Sequence, residues 1–149
     1  RLLAVQAAGA NPFYRSFRDG FRTRHRVRPE TVATAIRIGD PVSHDRARLA
    51  IEATRGVVAE VSDEEILEAK SRIDAAGLGC EPASAASLAG ARKLRAEGVI
   101  APGERVVCVL TGNILKDPEA ILARSSERAL TEVDADPAAV EAALAPWLR

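Results

Sequence analysis

Cys80-Glu81-Pro82-Ala83-Ser84-Ala85-Ala86 and, further along, Val107-Cys108-Val109-Leu110-Thr111-Gly112-Asn113 are the two stretches whose reading decides the fold. The first opens a helix of small residues, with proline in a first turn where its missing N–H costs nothing. The second is a run of β-branched and apolar residues that ends on a hydroxyl and a glycine, the pattern of a strand buried on both faces. Together they describe part of a parallel α/β sheet. They place Thr111 at the carboxyl end of a strand, where open sheets of this kind bind their ligands.

The rest of the chain extends that pattern. Strand-like runs occur at 2–8, 56–61 and 105–110, separated by helical patterns, the alternation of a parallel sheet. A helix is predicted over 41–54, with Val42, Ala47, Leu49, Ala50 and Ile51 on its apolar side and Gly56 stopping it. The next opens with the capping box Ser62-Asp63-Glu64-Glu65 and buries Ile66, Leu67, Ala69 and Ile73 before Gly77 and Gly79. A third runs from Pro82 through 83–97, its first half almost all Ala, Ser and Leu. Such a face can lie very close to another backbone or to a flat ligand. Asp117-Pro118 opens a short helix to about Ala123, and Asp136 caps a last helix carrying Val140, Ala143, Leu144 and Trp147. The expected fold is α/β: a partial three-layer parallel sheet with helices on both faces over 1–123, then a polar linker and terminal helix over 124–149.

Lys plus Arg equals Asp plus Glu at 21 each in 149 residues, so no net field favours nucleic acid or an acidic membrane. Six arginines (Arg15, Arg18, Arg22, Arg24, Arg26, Arg28) cluster with the single acid Asp19, and read as a solvated loop face. Cys80 and Cys108 lie in apolar runs, so both are expected to be buried thiols, and neither has metal-ligand spacing with His25 or His44. No apolar run reaches the roughly 18 residues that span a bilayer and no signal-peptide pattern is present, so a soluble cytoplasmic protein is expected. The chain begins at Arg1, contains no methionine and starts almost at once on a strand, which reads as a C-terminal piece of something longer.

No self-sufficient catalytic set is present. Gly77-Leu78-Gly79 lacks both the third glycine and the preceding strand of a phosphate fingerprint, and no serine sits in a nucleophile elbow. His44, beside Asp45 at a helix start, reads as solvated, and Asp63-Glu64-Glu65 is explained by the helix dipole. Thr111 has two readings, a cap on the following turn or a hydrogen-bonding group for a bound heterocycle. Glu81 is either a solvated helix-start carboxylate or, if buried, one that must be paired. The proline-bounded stretch 29–41 positions backbone more readily than it forms core, with Arg37 expected to pair with Asp40 or Glu81.

These segments resemble the C-terminal part of the threonine synthases, pyridoxal-phosphate enzymes of the tryptophan-synthase-β-like fold (fold type II). The resemblance is carried by Val5-Gln6-Ala7-Ala8-Gly9-Ala10, by Thr34-Ala35-Ile36-Arg37-Ile38-Gly39 within 30–41, by the strand–helix pair 57–67, by Glu81-Pro82-Ala83-Ser84-Ala85-Ala86, and by Leu110-Thr111-Gly112 with Leu115-Lys116-Asp117-Pro118. It implies pyridoxal 5'-phosphate as cofactor, with the Thr111 hydroxyl meeting the pyridine nitrogen; a neutral hydroxyl leaves the ring a milder electron sink than a carboxylate would. It also implies that Ala35 and Ile36 border the ring and that Glu81 is an acid near its edge. The implied reaction converts O-phospho-L-homoserine and water to L-threonine and phosphate in a full-length homodimer. No catalytic residue, metal, nucleic acid or membrane is implied for this stretch. Lys70, Lys93 and Lys116 do not match the family's cofactor-bearing lysine, the cofactor-phosphate loop is absent, and Ile114 stands where the family usually has glycine. Two alternatives stand beside this resemblance: a threonine dehydratase-like or other lyase of the same fold, and a non-catalytic α/β domain.

Overall fold

A computed structural model describes residues 1–117 and 131–148. Strand β1 (Leu3–Ala7) leads into helix α1 (Pro12–Arg18); after a long loop come helix α2 (His44–Ala53) and strand β2 (Val57–Val61). Helices α3 (Asp63–Ala75) and α4 (Pro82–Ala96) follow, and α5 (Pro137–Leu144) lies near the end. The two strands pair in parallel with Leu3 opposite Val57 and Ala7 opposite Val61. The expected α/β layering is present. On one face Val5, Ala7 and Val61 pack with Ile66, Ala69 and Ile73 of α3 and Ala85, Ala86 and Ala89 of α4. On the other, Ala4 and Val58 meet Phe13 of α1 and Ile51 of α2.

Helices α3 and α4 form where their local signals place them. The Ser62 hydroxyl accepts from the Glu65 amide while the Glu65 carboxylate accepts from the Ser62 amide, so the capping box is complete. Gly77 follows at φ +79, ending α3 in the left-handed region that glycine tolerates. Helix α4 lies close against the sheet at Gly90, where a Cβ would lie 2.2 Å from Val5 Cγ2. Only a residue without a side chain fits there. In the second compact unit, Glu119–Arg149, the Asp136 side chain caps α5 by accepting from the Ala139 amide at 3.1 Å.

Several expectations are corrected. The arginine-rich stretch is not all loop: Asn11-Pro12 starts α1, and Phe13, Tyr14 and Phe17 turn inward while the arginines face out. Helix α2 begins at His44 and buries His44 and Ile51, whereas Val42 and Leu49 are exposed, because the buried face is set by the Phe13–Phe21 cluster. The left-handed residue that ends α2 is Arg55, at φ +49, and not Gly56. His44 is not solvated: it is 4% exposed, edge-on to Phe13 and Phe21, with Nδ1 donating to Asp45 at 3.0 Å and a buried Nε2 without a partner among the described residues. That hydrogen bond, more than any other cause, holds the Asp45 carboxyl below its ordinary range.

The third expected strand, 105–110, is not formed. It makes no backbone pairing among the described residues, and Val107 and Val109 are 88% and 65% exposed. A strand exists only by pairing. The edge of β1 that faces this segment lies across a groove of about 550 Å³ lined by Leu3, Val5, Ser87, Ala91 and residues 104–109. Val57 N–H donates to the Leu2 carbonyl, so by alternation the peptide groups of Leu3 and Val5 point away from β2 toward that edge. Cys108 is accordingly half-buried where a buried thiol was expected. The helix expected over 118–123 and most of the expected linker lie outside the described residues. No helix among the described residues is long and apolar enough to cross a membrane.

Replacing Gly90 with alanine tests the close approach of α4. Inside a helix this change normally stabilises by about 1 kcal/mol. Here the methyl meets Val5, and the expected outcome is a loss of about 1–3 kcal/mol in thermal or urea unfolding. Adding Val5→Ala to Gly90→Ala should recover part of that loss.

Candidate functional site

Glu81 is the N-cap of α4, but its side chain makes no capping bond. Its backbone carbonyl takes the first helical hydrogen bonds, from the Ser84 and Ala85 amides, and Pro82 at the first helical position needs no acceptor. The carboxylate is thereby left to turn inward, where it is 2% exposed. A buried carboxylate requires compensation. It accepts from Thr111 Oγ1 at 3.4 Å and meets Lys116 Nζ at 3.8 Å, beside the positive end of the α4 dipole. The arginine once expected to serve it, Arg37, instead donates from Nε to the Thr31 carbonyl, and Asp40 pairs with Arg24 and Arg26.

Gly112 packs against this carboxylate so closely that a Cβ would lie 2.0 Å from Glu81 Oε1. Its backbone is clamped from both sides: the Glu81 amide donates to the Gly112 carbonyl at 3.1 Å, and the Gly112 amide donates to Ser84 Oγ at 2.8 Å. Ser84, on the first turn of α4 and buried, also shares a hydrogen with Thr111 Oγ1 at 3.2 Å. Thr111 itself is exposed, with its hydroxyl between Ser84 and Glu81. Both contacts are long for hydroxyl hydrogen bonds, which favour about 2.7–2.8 Å. The hydroxyl can trade either for a better-placed partner without leaving a strong bond behind.

The structure therefore brings Thr111 and Glu81 together and adds Ser84, which the sequence reading had treated only as part of a small-residue face. The signal was available: a serine three residues after the helix cap is the side chain best placed to meet a neighbouring backbone. Ala35 is exposed and Ile36 half-buried on a 3₁₀ turn, Thr34–Ile36. Ile36 packs against the cluster that contains Cys80, Ala83 and Ala85. The same turn is tied to the segment beyond Thr111, since Thr34 Oγ1 donates to Asp117 Oδ2 at 2.9 Å. Ile114 packs over Gly79, whose Cβ would sit 3.4 Å from it. The groove beside β1 touches none of residues 35, 36, 81 and 111.

Just before Glu81, Cys80 is buried and bridges to Asn113. Burial, reinforced by the nearby Asp74 carboxylate, raises its thiol above the ordinary range, against a smaller opposite pull from Lys70. Among the described residues no group of three or more His, Cys, Asp or Glu is placed to hold a metal.

A parallel sheet covered on both faces, with hydroxyl, carboxylate and backbone groups gathered where a helix begins, is the build of an α/β ligand-binding protein. The model of the family described as pyridoxal-phosphate dependent enzyme matches residues 1–112, and the chain belongs to that family. It is 44% identical to the threonine synthase of Methanosarcina acetivorans over 140 residues, 91% of this chain and 34% of that protein. It is also 44% identical to the threonine synthase of Methanocaldococcus jannaschii over 138 residues, 90% of this chain and 34% of that protein. With the threonine synthase of Halalkalibacterium halodurans it shares 49% identity over 111 residues, 74% of this chain and 29% of the relative. The chain spans about a third of the length of these relatives.

The two thiols should separate in alkylation. The thiolate is the reactive form, and a raised pKa lowers its fraction at a given pH. At about pH 8, iodoacetamide should label half-buried Cys108 well before Cys80, read by mass spectrometry of the digested protein. Equal rates would mean that the packing around Cys80 opens readily.

Proposed function

We propose that this chain forms the distal part of a threonine synthase, an enzyme that converts O-phospho-L-homoserine and water to L-threonine and phosphate with pyridoxal 5'-phosphate. The observation that carries the reading is the Thr111 hydroxyl, exposed and loosely held by Ser84 and Glu81 beside a clamped glycine. A weakly engaged neutral hydroxyl fits a pyridine nitrogen. When bound, the cofactor supplies the electron sink for carbanions next to the substrate amine. The chain's own contribution is positional. Thr111 would donate its hydrogen to the ring nitrogen while accepting from Ser84 Oγ, and the backbone of Ala35 and Ile36 would border the ring; Glu81 would then lose its hydrogen bond from Thr111, its charge offset by Lys116 and the α4 dipole.

Two features support the reading that the site is completed by further polypeptide. The peptide groups of Leu3 and Val5 have no backbone partner among the described residues, as at a sheet interior awaiting another strand. Each of the three lysines also has a partner of its own. Lys70 is 4% exposed and donates to Asp74 at 2.5 Å, Lys93 donates to the Glu60 carbonyl at 2.7 Å, and Lys116 faces Glu81 at 3.8 Å. In this reading the lysine that bears the cofactor belongs to another part of the enzyme, and activity needs that part. The intact enzyme is a cytoplasmic homodimer.

In the intact enzyme, phosphate release from O-phospho-L-homoserine with matching threonine formation is the expected activity. Thr111→Ala, which removes one hydrogen bond of about 1 kcal/mol, should weaken cofactor binding roughly fivefold in an absorbance titration. Release of a keto acid from threonine, with no phosphate from the phosphorylated substrate, would assign the protein to the dehydratases instead.

A further inference from the structure

Two carboxylates from other parts of the fold hold the stretch that leads into and begins the turn Thr34–Ile36. On its near side, Asp63, at the start of α3, accepts from Thr31 Oγ1 through Oδ1 at 2.5 Å and from the Val32 amide through Oδ2 at 3.1 Å. Thr31 Oγ1 accepts from the Ala33 amide at 3.2 Å, and the Thr31 carbonyl accepts from Arg37 Nε at 2.9 Å, so the loop closes on itself around Thr31. Thr31 and Ala33 are both buried. This end is an anchor to the core.

The second contact is different. Thr34 is exposed, and its hydroxyl donates to Oδ2 of Asp117 at 2.9 Å across 83 positions of sequence. Asp117 is buried and follows the 3₁₀ turn Ile114–Lys116 that begins just after Thr111 and Gly112. The bond therefore joins the segment bearing Ala35 and Ile36 to the segment bearing Thr111. The rest of the loop uses bonds that are indifferent to where Thr111 stands.

From this geometry we propose that Asp117 is a positioning residue: through Thr34 it sets the spacing between the Ala35–Ile36 backbone and the Thr111 hydroxyl. The proposal rests on the reading that these two segments flank the cofactor ring. A hydroxyl donating to a carboxylate is a charge-assisted bond, stronger than a neutral one. It is also directional, so it fixes a separation as well as an attraction. A flat ligand held between a backbone edge and a hydroxyl is sensitive to that separation, because a shift of a few tenths of an ångström spoils the hydrogen bond to its nitrogen.

The test uses the cofactor-loaded intact enzyme and its cofactor dissociation rate, together with circular dichroism in the cofactor absorption band. Thr34→Val and Asp117→Ala should each speed dissociation about tenfold, equivalent to about 1.4 kcal/mol, and alter the dichroic band. The double variant should be no faster than either single one. Thr34→Ser keeps the charge-assisted bond and should stay close to the unchanged enzyme, whereas Asp117→Asn keeps an acceptor without the charge and should fall between it and Asp117→Ala. If Thr34→Val releases the cofactor at the unaltered rate with an unaltered band while Thr111→Ala weakens binding, the positioning role is wrong and the site reading stands. If Thr111→Ala also leaves binding unaltered, the site reading fails and the positioning role falls with it. If Thr34→Val lowers the melting temperature of the cofactor-free protein in proportion to its faster release, the bond is ordinary structural support, and the proposal is overturned.

Discussion

Val5 occupies the space that any side chain at position 90 would need, and that contact sets where α4 lies. Helix and strand meet backbone to side chain there, with alanines 85, 86 and 89 continuing the same thin face. A helix rises 1.5 Å per residue, so the contact at Gly90 is carried rigidly about 9 Å to Ser84 and a little further to Glu81. Small residues therefore do two things in α4. They let the helix settle against the sheet, and they fix the depth at which its first turn presents a hydroxyl and a carboxylate. A larger residue at Gly90 would lift the whole lever.

At the end of that lever the polar groups serve one another sparingly. Glu81 leaves the usual capping duty to its backbone, Ser84 is committed to the Gly112 amide, and Thr111 receives only long contacts. This inequality gives the site its character. The groups that hold backbone are well bonded, whereas the one exposed hydroxyl is left underused. Gly112 is required by the same arrangement, since its missing side chain is what lets a carboxylate lie against the main chain.

Much of this was readable in the sequence, and what escaped has identifiable causes. The capping box of α3, the proline start of α4 and the Asp136 cap are local chemistry, decided within four residues, and each forms as expected. Tertiary partners decide the rest. Helix α1 hides behind arginines because its inward face is short, made of buried Pro12, Phe13 and Ser16 with half-buried Tyr14 and Phe17. His44 is drawn into an aromatic cluster that brings together residues 13, 21 and 44, which no local pattern connects. The segment 105–110 has the composition of a strand without its pairing, and composition cannot supply a neighbour. At the site, Thr111 and Glu81 stood out by type and position, but the Ser84 link and the Thr34–Asp117 bond join residues 27 and 83 positions apart.

The unsatisfied edge of β1 has a consequence for how the polypeptide behaves in concentrated solution. Peptide groups that point outward in register are a template that another extended chain can copy, and the nearby exposed valines 107 and 109 offer it an apolar surface. Handled on its own, a chain of this kind is expected to pair edge to edge, which turbidity and thioflavin fluorescence rising with protein concentration would report. Lysine or proline placed on that border would act as a gatekeeper.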